Sequence, residues 1–327
     1  TLTPNVLFEV VNTLNMDNGL DILYSDEDKI SWTGKSRFSP FLKPDWSPDT
    51  FLSIMYTCHL TVYRRTLIEQ VGGFRPECDG AQDYDLMLRA SEQTERIYHI
   101  PQILYHWRTH KRSISQDFSA KDYVVGATYR AKRDALQRRN VQGTLRESER
   151  FPGQVIVDYQ VPQDVSASVI VPTKDQPRLL SRCVETIQRR TQLERFEVLI
   201  VSNGTETPEA WRCLSSLENW ERVRVIHAAR ETSADYLVLL NDDIEITKGG
   251  WLRTLIGRAQ QPHVGAVGAQ LLFPDKKSIQ HCGILNLSNG PGHALYNMSS
   301  ETVHHFGRNE VDYNFSAVTG ACMAVSR

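Results

Sequence analysis

The stretch Tyr236-Leu-Val-Leu-Leu-Asn-Asp-Asp-Ile-Glu-Ile246 decides the fold. Five apolar or aromatic residues, Tyr236 to Leu240, predict a buried strand of a parallel sheet. That strand runs straight into Asn241-Asp242-Asp243. Two adjacent carboxylates at the end of a buried strand repel each other and are costly to desolvate, so a positive group is expected beside them. A divalent cation is the simplest candidate, because hard oxygen ligands suit Mg²⁺ or Mn²⁺ and both ions bridge to phosphates. The carboxyl ends of strands in open α/β sheets are also where ligands bind. A solvated Asn-Asp-Asp turn is the plainer reading of the same residues.

Upstream the pattern repeats. Ala167-Ser-Val-Ile-Val-Pro-Thr-Lys-Asp175 reads as a strand and turn, Arg178 to Gln192 as a helix, and Phe196-Glu-Val-Leu-Ile-Val-Ser-Asn-Gly204 as a second strand. A helix over Glu206 to Leu217 and a strand over Val223 to His227 follow. Strand-helix-strand-helix-strand predicts a doubly wound, mostly parallel sheet. Right-handed crossovers put the polar ends of its strands on one edge. Thr173, Ser202-Asn203 and Asn241-Asp242-Asp243 are thus expected to converge, and a nucleotide with a metal-bound diphosphate fits such an edge. Neither GxGxxG nor GxxxxGK[ST] occurs, which argues against dinucleotide dehydrogenases and P-loop enzymes.

The first half is less regular. Residues 4–16 predict a helix with Thr3 as N-cap and Pro4 at its first position. A short strand, Asp21 to Ser25, leads into a charged turn, Asp26-Glu-Asp-Lys29. The proline-punctuated stretch Pro40 to Pro48 is expected to be irregular; its Lys43, Asp45 and Trp46 either line a pocket or form a surface loop with one anchoring tryptophan. His59 to Tyr63 reads as a strand, and Arg64 to Val71 as a helix stopped by Gly72-Gly73. A further helix opens near Gly80 with Asp83 and Asp85 in its first turn. Compensation of the helix dipole would account for both, as would a helix N-terminus aimed at a cavity. Ile97 to Leu104 predicts a strand, and Tyr105-His-Trp-Arg-Thr-His110 after it gathers two histidines, an aromatic and an arginine. A basic helix spans Ser119 to Arg139, and an extended linker follows, with a domain boundary near Asp164.

Composition narrows the class. The 327 residues carry 37 basic and 39 acidic side chains, a net charge of −2, so no global electrostatic case for nucleic acid exists. Cys58, Cys78, Cys183, Cys213, Cys282 and Cys322 are scattered without a CxxC pair, as in a reduced cytoplasmic chain rather than a disulfide scaffold or zinc site. No apolar run approaches the roughly 20 residues that span a bilayer. No signal peptide opens the sequence, which begins within a predicted helix, and a cut piece of a longer chain is expected. The basic helix Lys121 to Arg139 offers either a solvated face or a peripheral contact with anionic lipid at the inner face of the membrane.

Taken together, several motifs resemble family 2 glycosyltransferases of GT-A fold. In the second half they are Ser168-Val-Ile-Val-Pro-Thr-Lys-Asp, Glu197-Val-Leu-Ile-Val-Ser-Asn-Gly, Leu239-Leu-Asn-Asp-Asp-Ile-Glu, Val264-Gly-Ala-Val-Gly-Ala, Ile279-Gln-His-Cys-Gly and Ala317-Val-Thr-Gly-Ala-Cys. In the first half Leu23-Tyr-Ser-Asp-Glu-Asp-Lys, Lys43-Pro-Asp-Trp-Ser-Pro-Asp, Val71-Gly-Gly-Phe-Arg, Ala81-Gln-Asp-Tyr-Asp-Leu and Tyr105-His-Trp-Arg-Thr-His resemble the acceptor side of the same family. The nearest likeness is to tandem-domain, rhamnosyltransferase-like enzymes of bacterial O-antigen and surface-polysaccharide assembly.

The resemblance implies a division into the acceptor-side half of a first GT-A domain (1–118), a helical and extended linker (119–164), and the nucleotide-and-metal half of a second (165–327). It implies that Asp242 and Asp243 hold Mg²⁺ or Mn²⁺ against a donor diphosphate, Asp243 most directly, with His110, or alternatively His106, completing the metal site. Pro172, Thr173, Ser202, Asn203 and Asp242 would hold the nucleotide, although relatives carry an aspartate where Ser202 stands. Asp83 matches the general base of inverting members; Trp46, Asp85 and Arg89 fall on the acceptor side. The implied substrates are a dTDP- or UDP-sugar and a glycan or lipid-linked glycan acceptor. Only eight residues separate His227 from Tyr236, where relatives place a helix. The two halves could also pair in permuted order, placing Asp83 opposite Asp243. Two other readings remain: a catalytically silent module that binds glycan or a partner, and an unrelated nucleotidyltransferase. The second would need a glycine-rich loop, and Pro172-Thr-Lys-Asp-Gln-Pro177 has no glycine.

Overall fold

In a computed structural model of the chain, residues 1–109, 119–151, 153–226, 232–288 and 290–327 are described. The chain divides into two units: Thr1–Val157 with Val303–Asn314, and Asp158–Thr302 with Phe315–Arg327. Asp83 belongs to the first unit and Asp243 to the second.

The first unit opens with α1 (Val6–Met16), which Asn5 rather than Thr3 caps, so the helix begins two residues later than Pro4 predicts. Its strands are β1 (Ile22–Ile30), β2 (Arg37–Phe41), β3 (Thr61–Tyr63) and β4 (Ile97–Arg108). β1 is the centre of the sheet. β3 pairs antiparallel with its first residues, β2 antiparallel with its last, and β4 runs parallel along the other edge. The charged turn expected at Asp26 to Lys29 is therefore strand. A strand bordered on both edges satisfies its backbone regardless of side-chain polarity, and charged residues within it must find partners instead. Pro40, expected in irregular chain, lies in β2 at the sheet edge, where proline's missing donor is tolerated.

Helices α2 (Pro48–Ser53), α3 (Arg65–Val71), α4 (Gln82–Ser91) and α5 (Ser119–Arg138) pack around this sheet. Asn314 caps α2: its Oδ1 accepts from Thr50 N (3.1 Å), and its backbone N donates to Thr50 Oγ1 (2.9 Å). Among the described residues, two small cores stand out. One joins Val6 and Val10 of α1 to Leu23, Ile100 and Leu104, and the other is an aromatic cluster of Tyr24, Phe51, Tyr56 and Tyr84. The stretch expected as a linker holds α5, then β5 (Gly143–Glu147) and β6 (Val155–Tyr159). The basic end of α5 is engaged, with Arg138 and Arg139 both pairing with Glu92.

The second unit carries β7 (Ser166–Thr173), α6 (Pro177–Arg190), β8 (Arg195–Ser202), α7 (Pro208–Leu217), β9 (Val223–Ile226), β10 (Tyr236–Leu240) and α8 (Trp251–Ala259). Short strands follow: β11 (Val267–Gly268), β12 (Leu271–Leu272), β13 (Ile279–His281), β14 (Ile284–Leu287) and β15 (Gly290–His293), before β16 (Cys322–Ser326). The main sheet has the order β11-β16-β10-β7-β8-β9. β10, β7, β8 and β9 are mutually parallel, and β16 is antiparallel to β10. This is the mixed α/β, mostly parallel sheet expected. The alternation of strand residues decides its layers. Val169, Val171, Val198, Ile200, Val238 and Leu240 face α6 and α8, while Ile170, Leu199 and Ile226 face the opposite side. β10 departs from expectation in one respect: Leu239 is 37 % exposed, so this strand is buried on one face only. Of the eight residues between His227 and Tyr236, four lie outside the described residues.

Candidate functional site

The carboxyl edge of the second sheet is built by register. Thr173, the last residue of β7, lies beside Ser202, the last of β8. Asn203 N then donates to Thr173 O (2.9 Å), folding the end of β8 over β7. Thr173 Oγ1 donates to Asp242 Oδ2 at 2.6 Å, joining β7 to the end of β10. Asn241 N donates to Ala321 O (3.0 Å), so β16 holds the same turn from its other side. Thr173, Ser202, Asn203 and Asp242 are thus brought together, with Pro172 and Asn203 open to solvent.

Within this edge the two aspartates differ. Asp242 is half-buried and takes the Thr173 hydroxyl, whereas Asp243 is exposed. Both lie close to Cys183 of α6: burial, then the charges of Asp242 and Asp243, push its thiol up to about 12. Ser202 is buried, and its hydroxyl shares a hydrogen bond with Thr205 Oγ1 (2.8 Å). Asp175 holds the first turn of α7, accepting from Glu206 N and Thr207 N at 3.0 Å each, and these donors lower its pKa.

Two adjacent carboxylates and a hydroxyl form a hard-oxygen donor set, which suits Mg²⁺ or Mn²⁺. No cluster of three or more His, Cys, Asp or Glu side chains able to hold a metal occurs among the described residues. An ion here would rest on the two carboxylates and complete its shell with water and phosphate oxygens, the ordinary habit of Mg²⁺. His110 lies outside the described residues. His106, the alternative ligand, belongs to the first unit and is committed there, its Nδ1 lying 2.5 Å from Asp28 Oδ1.

In the first unit Asp83 stands in the first turn of α4, half-buried, its Oδ1 accepting from Tyr84 N (2.8 Å). Gly80 makes this helix start possible: at φ +90° it adopts a backbone that side chains disfavour, and a Cβ would meet the Tyr123 ring at 2.4 Å. Burial, followed by the nearby Asp83 charge, pushes the Cys58 thiol up to about 12 and raises the Tyr63 hydroxyl.

Asp85 and Arg89, expected on the acceptor side, are built into the interior instead. Asp85 is fully buried; Arg75 bonds both of its oxygens (2.5 and 3.1 Å) and Arg89 grips it at 2.8 and 2.9 Å. These guanidinium groups hold its carboxyl below the usual range, although burial opposes them as the largest single influence. Arg89 also donates to Val71 O and Gly73 O. A fully buried carboxylate must be paired, and this pairing anchors α4 to the Gly72-Gly73 turn. Trp46 is half-buried against Phe51 and Tyr56, as an anchoring tryptophan would be.

Sequence reasoning missed a second acidic group. Asp26, Glu27 and Asp28 on β1 are all buried. Asp26 Oδ1 accepts from Lys43 N (2.7 Å) and lies 2.9 Å from His99 Nε2. Glu27 faces His59 and Lys43, and Asp28 faces Arg37 (2.7 Å) and His106. The signal was present in the alternation of charged residues with Tyr24 and Ile30, but three consecutive acids read more naturally as a turn.

The chain is 36 % identical over 344 residues to "O-antigen biosynthesis protein RfbC" of Myxococcus xanthus, covering all of this chain and 26 % of that protein. It is 34 % identical over 345 residues to "Uncharacterized protein y4gI" of Sinorhizobium fredii, covering 38 % of it. The chain thus spans well under half the length of either relative. Among solved structures, a mannosyltransferase from Pyrobaculum calidifontis in complex with GDP-Man and Mn²⁺ aligns with 36 % of this chain and 40 % of its own at 18 % identity and TM-score 0.30. The WbbM bifunctional glycosyltransferase aligns with 86 % of this chain and 54 % of its own at 11 % identity and TM-score 0.24. The family model for Glycosyl transferase family 2 matches residues 168–326, which hold the whole edge from Thr173 to Ala321. Over those residues, a little under half of its length, the chain matches glycosyl transferase family 2.

Proposed function

We propose that the chain is part of a nucleotide-sugar-dependent glycosyltransferase that extends a bacterial surface glycan of O-antigen type. The observation that carries this reading is the joining of Thr173, Asn203 and Asp242 at the carboxyl edge of a parallel sheet, with Asp243 left open beside them. In this reading the second unit is the nucleotide-and-metal half of a transfer site. Asp243 and Asp242 hold Mg²⁺ or Mn²⁺, while Pro172, Thr173, Ser202 and Asn203 receive a dTDP- or UDP-sugar. Bound there, the ion supplies neutralising charge for a departing diphosphate.

The first unit, read by itself, is the acceptor half of a separate site of the same kind. Asp83 takes the proton from an acceptor hydroxyl; the oxygen bonds to the anomeric carbon from the face opposite the diphosphate. The sugar–phosphate C–O bond breaks with its electron pair leaving on the nucleoside diphosphate, and the anomeric configuration inverts. The acceptor is a glycan, free or lipid-linked, and no described helix is long and apolar enough to cross a membrane. The test is a calorimetric titration with UDP and with dTDP, with and without Mn²⁺. Mn²⁺-dependent binding that Asp243→Ala abolishes is expected; unchanged affinity in the variant overturns the assignment.

A further inference from the structure

The second unit carries a cavity that shares no residue with the edge from Thr173 to Ala321. It holds about 430 Å³ and lies between α6, the chain that follows Asp243, and the turn joining β12 to β13. On α6, positions 182, 185, 186 and 189 recur at three- and four-residue intervals and so share one side of the helix. Thr186 is buried at its base, and its hydroxyl accepts from Ile246 N (2.9 Å), which lays the following chain along α6. Glu245 is thereby set beside Arg182, whose guanidinium takes both of its oxygens. Lys276 reaches the cavity from the separate turn. There Phe273 N donates to Ser278 O (2.9 Å), Lys276 N to Phe273 O (2.8 Å), and Lys277 N and Ser278 N to Asp275 Oδ1 (2.8 and 2.9 Å). These bonds hold Lys276 at φ +59°, a left-handed conformation that side chains seldom adopt.

The charges lining this cavity do not cancel. Arg182 is spent on Glu245, and Glu185 stands 3.9 Å from Arg189, the outer limit of an ion pair, with both side chains exposed. Among the described residues, the side chains of Arg190 and Lys276 form no ion pair or hydrogen bond. Four cations thus face two carboxylates, a surplus of two positive charges. Compensation of the helix dipole accounts for Arg189 and Arg190 in the last turn of α6. It does not account for Lys276, brought to the same cavity from another turn, or for Arg182 in the second turn of the helix. A metal cation is repelled by the surplus, and a neutral glycan gains nothing from it. A phosphate group carries close to two negative charges at neutral pH and accepts the planar fork of arginine in two parallel bonds.

We propose that Arg190 and Lys276, with Arg189 and Arg182, form an anion site that holds a phosphate group, carried by a free phosphate or diphosphate or by the headgroup of an anionic lipid. The site does not rest on the transfer reading. The test is a calorimetric titration of the 327-residue chain with sodium pyrophosphate in EDTA, beside co-sedimentation with vesicles of phosphatidylcholine alone and with an equal part of phosphatidylglycerol. Pyrophosphate binding assigns the site to a free phosphate; sedimentation with the phosphatidylglycerol vesicles alone assigns it to a lipid headgroup. In the arm that binds, Arg190→Ala combined with Lys276→Ala is expected to weaken affinity about tenfold or more, because two charge-assisted contacts are lost. Glu185→Gln, which enlarges the positive surplus, should strengthen it. Both basic residues are exposed, so the double variant keeps the fold. Lys35→Ala combined with Arg65→Ala removes the same charge from exposed positions of the first unit and should leave affinity within about twofold. Binding in neither arm, a double variant that binds like the parent, or an equal loss in the first-unit control overturns the proposal. Mn²⁺-dependent nucleotide affinity, read separately, should be unmoved by the Arg190 and Lys276 substitutions, so either reading can fail alone.

Discussion

Each unit carries a run of polar and acidic residues, within a strand of its main sheet in one and just past a strand in the other, and the two runs are treated in opposite ways. In the first unit Asp26, Glu27 and Asp28 lie within β1, bordered on both edges, and every one is buried against a base: His99, then His59 with Lys43, then His106 with Arg37. In the second, Asp242 and Asp243 lie two and three residues beyond the end of β10, where the chain has left the sheet; the Thr173 hydroxyl bonds Asp242, and Asp243 faces solvent. Position along the strand decides this. Carboxylates inside a sheet lose water and need compensating charge in the protein, whereas those past its end keep water and remain available to a ligand. The same residue type is structural in one place and a candidate site in the other.

The largest effect that would break this comparison concerns the most deeply paired acid. Asp85 has no solvent exposure and is bonded by two guanidinium groups. Asp85→Ala removes the shared partner of both arginines, leaving Arg75 to Asp134 and Arg89 to the Val71 and Gly73 carbonyls. It should cost about 3–5 kcal/mol, the usual range for removing one partner of a buried pair. Denaturant unfolding of the first unit's transition measures it; a loss below ~1 kcal/mol would show that burial here does not demand charge.

Next comes a matched pair. Asp26→Ala removes the acceptor for Lys43 N and the partner of His99, and should destabilise by about 1–3 kcal/mol. Asp243→Ala, at an exposed turn, should stay within about 0.5 kcal/mol of the parent while losing Mn²⁺-dependent nucleotide binding. Equal stability losses at the two positions would erase the distinction between the acidic runs.

How much of this was legible depends on which signal carried it. The second unit's strands and helices follow from apolar periodicity: Val169 and Val171 facing helices against Ile170 facing away is a pattern written directly in the sequence. The convergence of Thr173, Asn203 and Asp242 follows from crossover handedness, and the contacts bear it out. In the first unit the strand through Asp26 to Lys29 was illegible because its burial is compensated by residues 9 to 78 positions away, such as Arg37, Lys43 and His106. Propensity sees three acids; only tertiary contacts show what neutralises them. Asp85 failed in the same way, since its partner Arg75 lies in a separate turn.

A buried base extends the comparison to pH. Lys132 of α5 is fully buried, donating to Ser53 O (2.9 Å) and Val155 O, and burial pulls its ammonium down to about 7. Its ordinary value is higher, so between pH 7 and roughly 10.4 the unfolded chain binds more protons, and stability rises with pH across that window. Below pH 7 the cost of burying the charge is fully present. Lys132→Met should flatten the rise when melting is followed from pH 7 to 10; an unchanged slope would assign it to another group.

The second unit offers the counterpart at acid pH, with a smaller expected effect. His281 on β13 is buried, and its Nδ1 lies 2.7 Å from His293 Nδ1. Its Nε2 accepts from Gly283 N at 3.2 Å and Thr319 N at 3.5 Å, so the neutral ring carries its proton on Nδ1 and donates it to His293. Protonating Nε2 would set N–H against N–H. Burial, helped by the His293 charge, pulls His281 down to about 4. Between its ordinary value near 6.5 and 4 the unfolded chain binds the extra proton, so stability present above about pH 6.5 is lost as pH falls through 4. His281→Gln, whose amide oxygen can take the place of Nε2, should lower the melting temperature at pH 7 slightly and make it less sensitive to acid between pH 6.5 and 4. A variant that keeps the parent's full acid loss would move the sensitivity to another histidine, and the second unit would then bury this base without consequence for its stability.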